Sequence, residues 1–276
     1  MSTIPNIALN DGRSIPQLGF GVFQVNPGET KRVVLDALEA GYRHIDTAAG
    51  YNNETEVGAA IADSGIPREE LFITTKQRPA DQSEERSRTA IDASLAKLGL
   101  DHVDLYLIHW PTPARGLYVE SWQALEEFAA EGLSRSIGVS NFLPEHLDRL
   151  ESEATVVPAI NQIEIHPLLQ QRDVETYSRA HGVQVEAWSP IARGALVESS
   201  EVDAIAEKYD KTVAQVTLRW HIDHGRIVLP RTVRKERMIE NAALFDFQLT
   251  EQELSVLDAL EAGHRVGPDP ASMNNA

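Results

Sequence analysis

Short apolar runs alternate with helical patterns along this chain, and few architectures accept that rhythm. Strands read at Gly19–Phe23, His44–Ala48, Leu71–Lys76, Val103–His109, Ser134–Ser140, Ala159–Glu164, Gln184–Trp188 and Ile227–Pro230. A first helix reads at Pro27–Ala40, with Val33, Val34, Ala37 and Leu38 on one stripe and Gly41 ending it. Further helices read at about Glu54–Ser64, Glu84–Leu98, Val119–Glu131, Glu145–Glu151, Asp173–His181, Asp203–Tyr209, Val213–His224 and Lys235–Leu244. A last helix spans Glu251–Leu260 and a polar tail follows. Regular alternation over eight strands predicts an α/β protein, a (β/α)8 TIM barrel with an extra C-terminal helix. Ahead of it, Ile7–Asn10 and Ser14–Gln17 flank Asp11-Gly12, a pair suited to a tight turn because glycine tolerates positive φ. An N-terminal β-hairpin covering one barrel end is expected there.

The 276 residues suit one such barrel, and no Pro/Gly/Ser-rich linker divides them, so a single domain over 1–276 is expected. A formal net charge of −17 argues against nucleic acid or an anionic membrane as partners. With no cysteine, the chain has no disulfide, thiolate nucleophile or cysteine-based metal site. The start, Met1 to Asn6, lacks the basic and apolar regions of a signal peptide, and no apolar run reaches membrane-span length. A cytoplasmic protein is the expectation.

In a barrel of this kind the chemistry gathers at the carboxyl ends of the strands. Read with period two, His44, Asp46 and Ala48 share a face, so Asp46 points as core residues point and needs a cationic partner. Tyr51 follows in the loop after Ala49-Gly50, Lys76 closes the next strand, and His109-Trp110-Pro111 close the one after. A lysine cation lowers the pKa of a neighbouring phenol, which is otherwise a poor acid at neutral pH. Asp46 would hold that lysine, and a neutral His109 could orient a carbonyl oxygen. The plainer alternative is a structural Asp–Lys pair with a capping histidine.

Arg231, Arg234, Lys235 and Arg237 crowd the last strand's exit and the next helix's start, in a chain with excess acid. Cations oppose the dipole at a helix start, and a bound phosphate removes that conflict. No G-x-G-x-x-G or P-loop lysine motif is present. Glu164 and His166 lack a third ligand at metal-site spacing, so no metal site is expected. Two rival readings stay open: a metal-dependent hydrolase barrel built on His44, Asp46, His109 and His166, and a non-catalytic nucleotide sensor.

The stretches GYRHIDTA with Tyr51 beyond it, ITTK, DLYLIHWP, SIGVSNF, NQIEIHP and LPRTVRKERMIEN cover nearly the whole chain. In that order they resemble the aldo-keto reductases, most closely the bacterial branch containing the 2,5-diketo-D-gluconate reductases. The resemblance implies NADPH-dependent reduction of small-molecule aldehydes or ketones by a monomer, with Asp46, Tyr51, Lys76 and His109 as catalytic residues and Tyr51 as the acid. It implies that Trp188 stacks on the nicotinamide, that Ser140, Asn141 and Gln162 bind its carboxamide, and that Ser189 lies in the same site. The adenosine 2′-phosphate falls to Arg231, Thr232, Val233 and Arg237, and the adenine to Glu240 and Asn241. Arg231 stands where relatives usually have lysine and Thr232 where they have serine; arginine keeps the charge and can bind phosphate with two bonds, so NADPH is expected over a weaker NADH. Phe23 and Trp110 are expected to wall the substrate pocket. Relatives usually carry tryptophan two residues after the catalytic lysine, but this chain reads Lys76-Gln77-Arg78-Pro79. Arg78 therefore either turns to solvent or stays at the rim to meet a substrate carboxylate.

Overall fold

The computed structural model describes residues 4–196 and 199–275. A two-stranded antiparallel hairpin, β1 (Asn6–Ala8) and β2 (Ser14–Pro16), precedes eight parallel strands in one sheet. These are β3 (Phe20–Gly21), β4 (His44–Asp46), β5 (Phe72–Gln77), β6 (Val103–Ile108), β7 (Ser134–Ser140), β8 (Ile160–Glu164), β9 (Gln184–Trp188) and β10 (Ile227–Leu229), each paired with its neighbour in sequence. The sheet closes on itself between the two ends of the strand series: Gly19 N–H donates to Val228 O at 2.9 Å, Val228 N–H to Gln17 O at 3.0 Å, and Gly21 N–H to Pro230 O at 3.2 Å. This is the (β/α)8 barrel expected from the alternation.

The helices α1 (Pro27–Glu39), α2 (Glu54–Asp63), α3 (Glu84–Leu98), α4 (Tyr118–Glu131), α5 (Pro144–Glu153), α6 (Arg172–Ala180), α7 (Ser200–Tyr209), α8 (Val213–Asp223), α9 (Lys235–Ala242) and α10 (Glu251–Asp258) agree with the sequence reading apart from their ends. The stripe of α1 is buried at Val33, Val34, Ala37 and Leu38, as its periodicity requires. β3 is shorter than expected because the chain leaves the ladder after Gly21; Gln24 already has a φ of 57°. Four single-turn 3-10 helices, at Ala49–Tyr51, Arg68–Glu70, Pro79–Asp81 and Ala192–Gly194, are too short to show a period in sequence.

Two apolar layers hold the barrel. The larger lies between strands and helices and includes Trp122, Phe128, Trp220 and Phe142. The smaller fills the barrel's amino end, where Leu9 and Ile15 from the hairpin meet Leu105, Leu107, Ile160 and Ile227. Each such side chain contributes roughly 1.5–3 kcal/mol when fully removed from water. The hairpin therefore plugs the barrel end opposite the strand exits and is tied there by Asn10 Nδ2 donating to Pro158 O at 2.9 Å. No helix among the described residues is long and apolar enough to cross a membrane.

The packing of α2 on α3 depends on a missing side chain. A Cβ on Gly58 would stand 2.3 Å from Leu98 O, a backbone atom that cannot swing aside. Gly58→Ala gains about 1 kcal/mol of helix propensity but overpacks a contact at a cost of about 1–3 kcal/mol. The net expectation is a lower urea midpoint, read from equilibrium unfolding; an unchanged or raised midpoint would show that α2 and α3 separate freely.

Candidate active site

The four residues singled out in sequence meet at the carboxyl end of the barrel. Asp46 is the last residue of β4, Lys76 lies near the end of β5, His109 follows β6, and Tyr51 ends the single-turn helix after β4. Parallel pairing with aligned register turns Asp46 and Lys76 into the same interior space. Lys76 is wholly inaccessible to solvent. Its Nζ donates to Asp46 Oδ1 and Oδ2 at 2.6 and 2.7 Å, to Thr47 O at 3.0 Å and to Tyr51 Oη at 3.3 Å. Tyr51 is held from the other side by edge-on His109, ring centroids 5.6 Å apart, and by Phe23 at 5.0 Å.

The loop that presents Tyr51 is fixed by polar bonds. Asn52 takes the left-handed conformation with a φ of 56°, ending the turn. The next residue, Asn53, is buried; it accepts from Thr47 Oγ1 at 2.9 Å and donates through Nδ2 to Val22 O at 3.0 Å.

Burial drives the ionisation of this cluster. For Lys76, burial favours the neutral amine, but Asp46 and Tyr51 outweigh it and its pKa is raised, so the ammonium persists. The Tyr51 phenol is pushed up by burial; Lys76 opposes this, and Asp46 and Glu186 reinforce it. The expectation that Lys76 lowers the phenol is thus met only as an opposing influence, because burial of the phenol outweighs it, with Asp46 adding to the upward push. Burial, aided by Lys76, lowers His109 to about 3, leaving a neutral imidazole beside the phenol.

A second polar chain runs from His109 to Trp188. Asn141 Nδ2 donates to His109 O at 3.0 Å, and Asn141 Oδ1 accepts the Trp188 indole N–H at 2.9 Å. Ser140 Oγ donates to Gln162 O at 2.8 Å. Gln162 Nε2 donates to Asp46 Oδ2 at 2.9 Å and to Glu186 Oε2 at 2.7 Å, which fixes its amide with the nitrogen toward two carboxyl groups. Ser189 sits beside Trp188 with a φ of 50°.

The cations beyond β10 divide into two kinds. Lys235 is spent on Glu39 at 2.7 Å. Arg231 donates to Gln24 O at 3.3 Å, and among the described residues Arg231, Arg234 and Arg237 form no ion pair with a carboxylate. Val233 is exposed, Thr232 Oγ1 accepts the Arg234 N–H at 3.2 Å, and Glu240 Oε1 accepts from Thr212 at 2.8 Å. Asn241 Oδ1 is buried with no partner. No hydrogen bond or ion pair among the described residues joins this group to the tetrad.

Phe23 is half exposed and Trp110 buried, Trp110 O accepting from Gln82 at 2.7 Å. Arg78 takes the first of its two expected courses: its side chain is exposed to solvent. Its stem passes close enough to Gly50, in the loop of Tyr51, that a Cβ there would meet Arg78 Cγ at 3.5 Å, while its fork closes on Asp81 at 2.8 and 3.1 Å.

Sequence reasoning missed two features. Glu186 shares the β9 face of Gln184 and Trp188, so its parity alone marks it as interior, but it lies within an apolar run and not at a strand exit. Glu164 holds the C-terminal tail: it accepts the backbone N–H groups of Val266 and Gly267 at 2.5 and 3.0 Å and bonds His166 at 3.1 Å. A Cβ on Gly267 would meet Trp188 Cη2 at 2.3 Å, so glycine is needed where the tail crosses that ring. No sequence period announces such a tail. Among the described residues no three metal-ligating side chains converge, and His44, Asp46, His109 and His166 are taken up by separate partners or lie apart. The hydrolase rival has no ligand set there.

Comparison with known proteins agrees with this geometry. The aldo/keto reductase family matches residues 17–262. An aldo-keto reductase of Mycolicibacterium smegmatis is 50% identical over 270 residues, 98% of each chain. The methylglyoxal reductase DkgA of Escherichia coli is 48% identical over 266 residues, 96% of each. A crystal structure of a Gox0644 mutant in complex with NADPH superposes with a TM-score of 0.95 at 39% identity, covering 99% of both chains. Strand order, a tyrosine held by a buried lysine, and similarity across almost the full length lead to one conclusion: the chain belongs to the aldo/keto reductase family.

Proposed function

We propose that this protein reduces aldehyde or ketone carbonyls with NADPH, Tyr51 being the proton donor. The observation that carries the reading is the Lys76 ammonium, donating at once to Asp46 and to Tyr51 Oη in a site flanked by a neutral His109. NADPH, when bound, supplies the hydride. Tyr51 holds the proton that the reduced oxygen needs, and Lys76 stabilises the phenolate left behind. Asp46 keeps Lys76 charged and in place. Neutral His109 is a hydrogen-bond donor able to orient the carbonyl oxygen and favour charge developing on it.

The residues present fit the cofactor. Three guanidinium groups without carboxylate partners among the described residues suit a phosphate, and the buried Asn241 Oδ1, which has no partner among them, is an acceptor awaiting a donor. Arg231, Thr232, Val233 and Arg237 would hold the 2′-phosphate, with Glu240 and Asn241 on the adenine. Trp188, Ser140, Asn141, Ser189 and Gln162 would hold the nicotinamide end. Because Asn141 and the Gln162 nitrogen are already engaged, binding there exchanges or adds to existing bonds. A monomer acting in the cytoplasm completes the reading. A relative named methylglyoxal reductase makes small oxo-aldehydes the first substrates to try.

Tyr51→Phe keeps the ring against Phe23 and His109 but removes the proton. Reduction should fall by about 10²–10⁴ while NADPH binding, followed by fluorescence titration, stays near wild type; a variant retaining most of its turnover would unseat Tyr51 as the acid. Arg231→Ala removes one charge-assisted contact worth about 1.5–3 kcal/mol, so the Kd for NADPH should rise roughly tenfold or more, with NADH little changed. Equal losses for the two cofactors would assign the cluster another task.

Arg78 gives a third expectation. Its fork is occupied by Asp81, an exposed pair worth about 0.2–1 kcal/mol. Asp81→Asn should therefore free the guanidinium and raise kcat/KM for an aldehyde acid over a neutral analogue of equal size by about two- to fivefold. A ratio that does not move would show that Arg78 plays no part in reading substrate charge.

A further inference from the structure

Beneath the tetrad, the barrel interior holds a second carboxyl group that the chemistry above leaves unused. Glu186 lies midway along β9, wholly inaccessible to solvent. Gln162 Nε2 reaches its Oε2 at 2.7 Å and Asp46 Oδ2 at 2.9 Å, so one amide nitrogen ties this acid to the carboxylate that chelates Lys76. Its other oxygen, Oε1, has no hydrogen-bond partner. The facing groups can be named from each strand: His44 on β4, with Nε2 3.9 Å away and bonded to Thr74 of β5; Asp46 on β4; Lys76 on β5; and Gln162 on β8. On the other side β10 brings only Ile227, Val228 and Leu229, paired in register with Glu186, Ala187 and Trp188.

The charges in this space do not balance if Glu186 ionises. Lys76 is the one cation, and Asp46 binds it with both oxygens. Burial and Lys76 together push His44 down to about 3, so it offers no second positive charge. A buried carboxylate with an orphaned oxygen and no cation of its own is costly, and the proton is the available remedy. The same conclusion follows from the push on Glu186 itself, up to about 8, with burial the first cause and Asp46 the second. It is the only carboxyl group among the described residues with a resolved upward shift.

We propose that Glu186 is a positioning residue of the tetrad: it keeps its proton at neutral pH, presents a neutral acceptor to Gln162 so that Asp46 stays committed to Lys76, and sets by its protonation how strongly Tyr51 holds its own proton. The link to Tyr51 rests on the function proposed above, and the link to Asp46 does not. Ionisation of Glu186 adds a second negative charge below the ammonium and makes Tyr51 a weaker acid. Reduction should therefore weaken above about pH 8, because the phenol gives up its proton less readily.

Three measurements on the full-length protein decide this. Infrared spectra of the wild type should show a buried carboxylic-acid C=O band at neutral pH that disappears through about pH 8 and is absent in Glu186→Gln. A wild type without that band carries the proton elsewhere, and the proposal falls. Tyrosinate absorbance, taken as the difference from the Tyr51→Phe variant, should titrate about one pH unit lower in Glu186→Gln than in an otherwise intact chain. The fall in kcat/KM for carbonyl reduction through about pH 8 in the wild type should be absent in Glu186→Gln, whose alkaline limb is left to Tyr51 alone. Coincident tyrosinate titrations overturn the tuning role even if the band is found. If Glu186→Gln does not fold, the wild type decides alone: its rate profile must inflect where the band titrates, and a profile without that inflection overturns the proposal. A wild type that reduces no carbonyl at any pH refutes the proposed function, while the band and the tyrosinate titration still report on Glu186.

Discussion

A lysine without solvent access has to be made tolerable, and much of the barrel's upper interior is arranged around doing so. Removing one member of a buried ion pair typically costs about 3–5 kcal/mol, because the other is left charged and unpaired. Here both Asp46 oxygens, Thr47 O and Tyr51 Oη surround Lys76 Nζ, so the ammonium is coordinated rather than merely neutralised. Asp46 is in turn braced by Gln162, and Gln162 by Glu186. The result is a layer of polar groups in the upper barrel above an apolar plug supplied by the hairpin. Polar networks of this kind hold only when each member is satisfied, which favours a proton on the one acid lacking a cation.

The same arrangement reconciles rigidity with reactivity. Tyr51 is fixed by ring contacts with Phe23 and His109 and by the Asn53 bonds that hold its loop, not by a strong bond to Oη, whose lysine contact is the longest of the four at 3.3 Å. The phenol is therefore placed without being consumed. His109 is kept neutral by burial and by the nearby cation, so its ring carries one N–H and no positive charge.

How far the sequence discloses all this varies with the kind of signal. The barrel is visible because its alternation repeats along the whole chain, and each repeat supports the next. Asp46, Tyr51, Lys76 and His109 are visible because polar residues at the ends of apolar runs break a pattern. Glu186 is equally polar, but it sits inside a run, where parity places it in the barrel only once the barrel is granted. Arg78 shows the opposite problem. Its departure from relatives is plain in sequence, yet its partner Asp81 is a local turn residue whose role depends on a single-turn helix with no period of its own. The tail across Trp188 lay beyond reach for a third reason, since two backbone N–H groups on one carboxylate leave no trace in side-chain identity.

Closure of the barrel has a consequence for how the protein comes into being. All four tetrad residues lie in the first 109 positions, yet the strand that seals their interior ends at Leu229. Gln17, beside the first strand, bonds Ile222 O from 205 positions away. Contacts of such separation form late, since loop closure must precede any gain from them. The Lys76 ammonium finds all its partners within positions 46–51, whereas the groups that brace and roof this pair, Gln162 and Glu186, arrive on strands much later in the chain. The first half of the chain therefore carries the charged pair and its nearest partners, and the second half supplies the carboxyl group and amide that govern how that pair is braced.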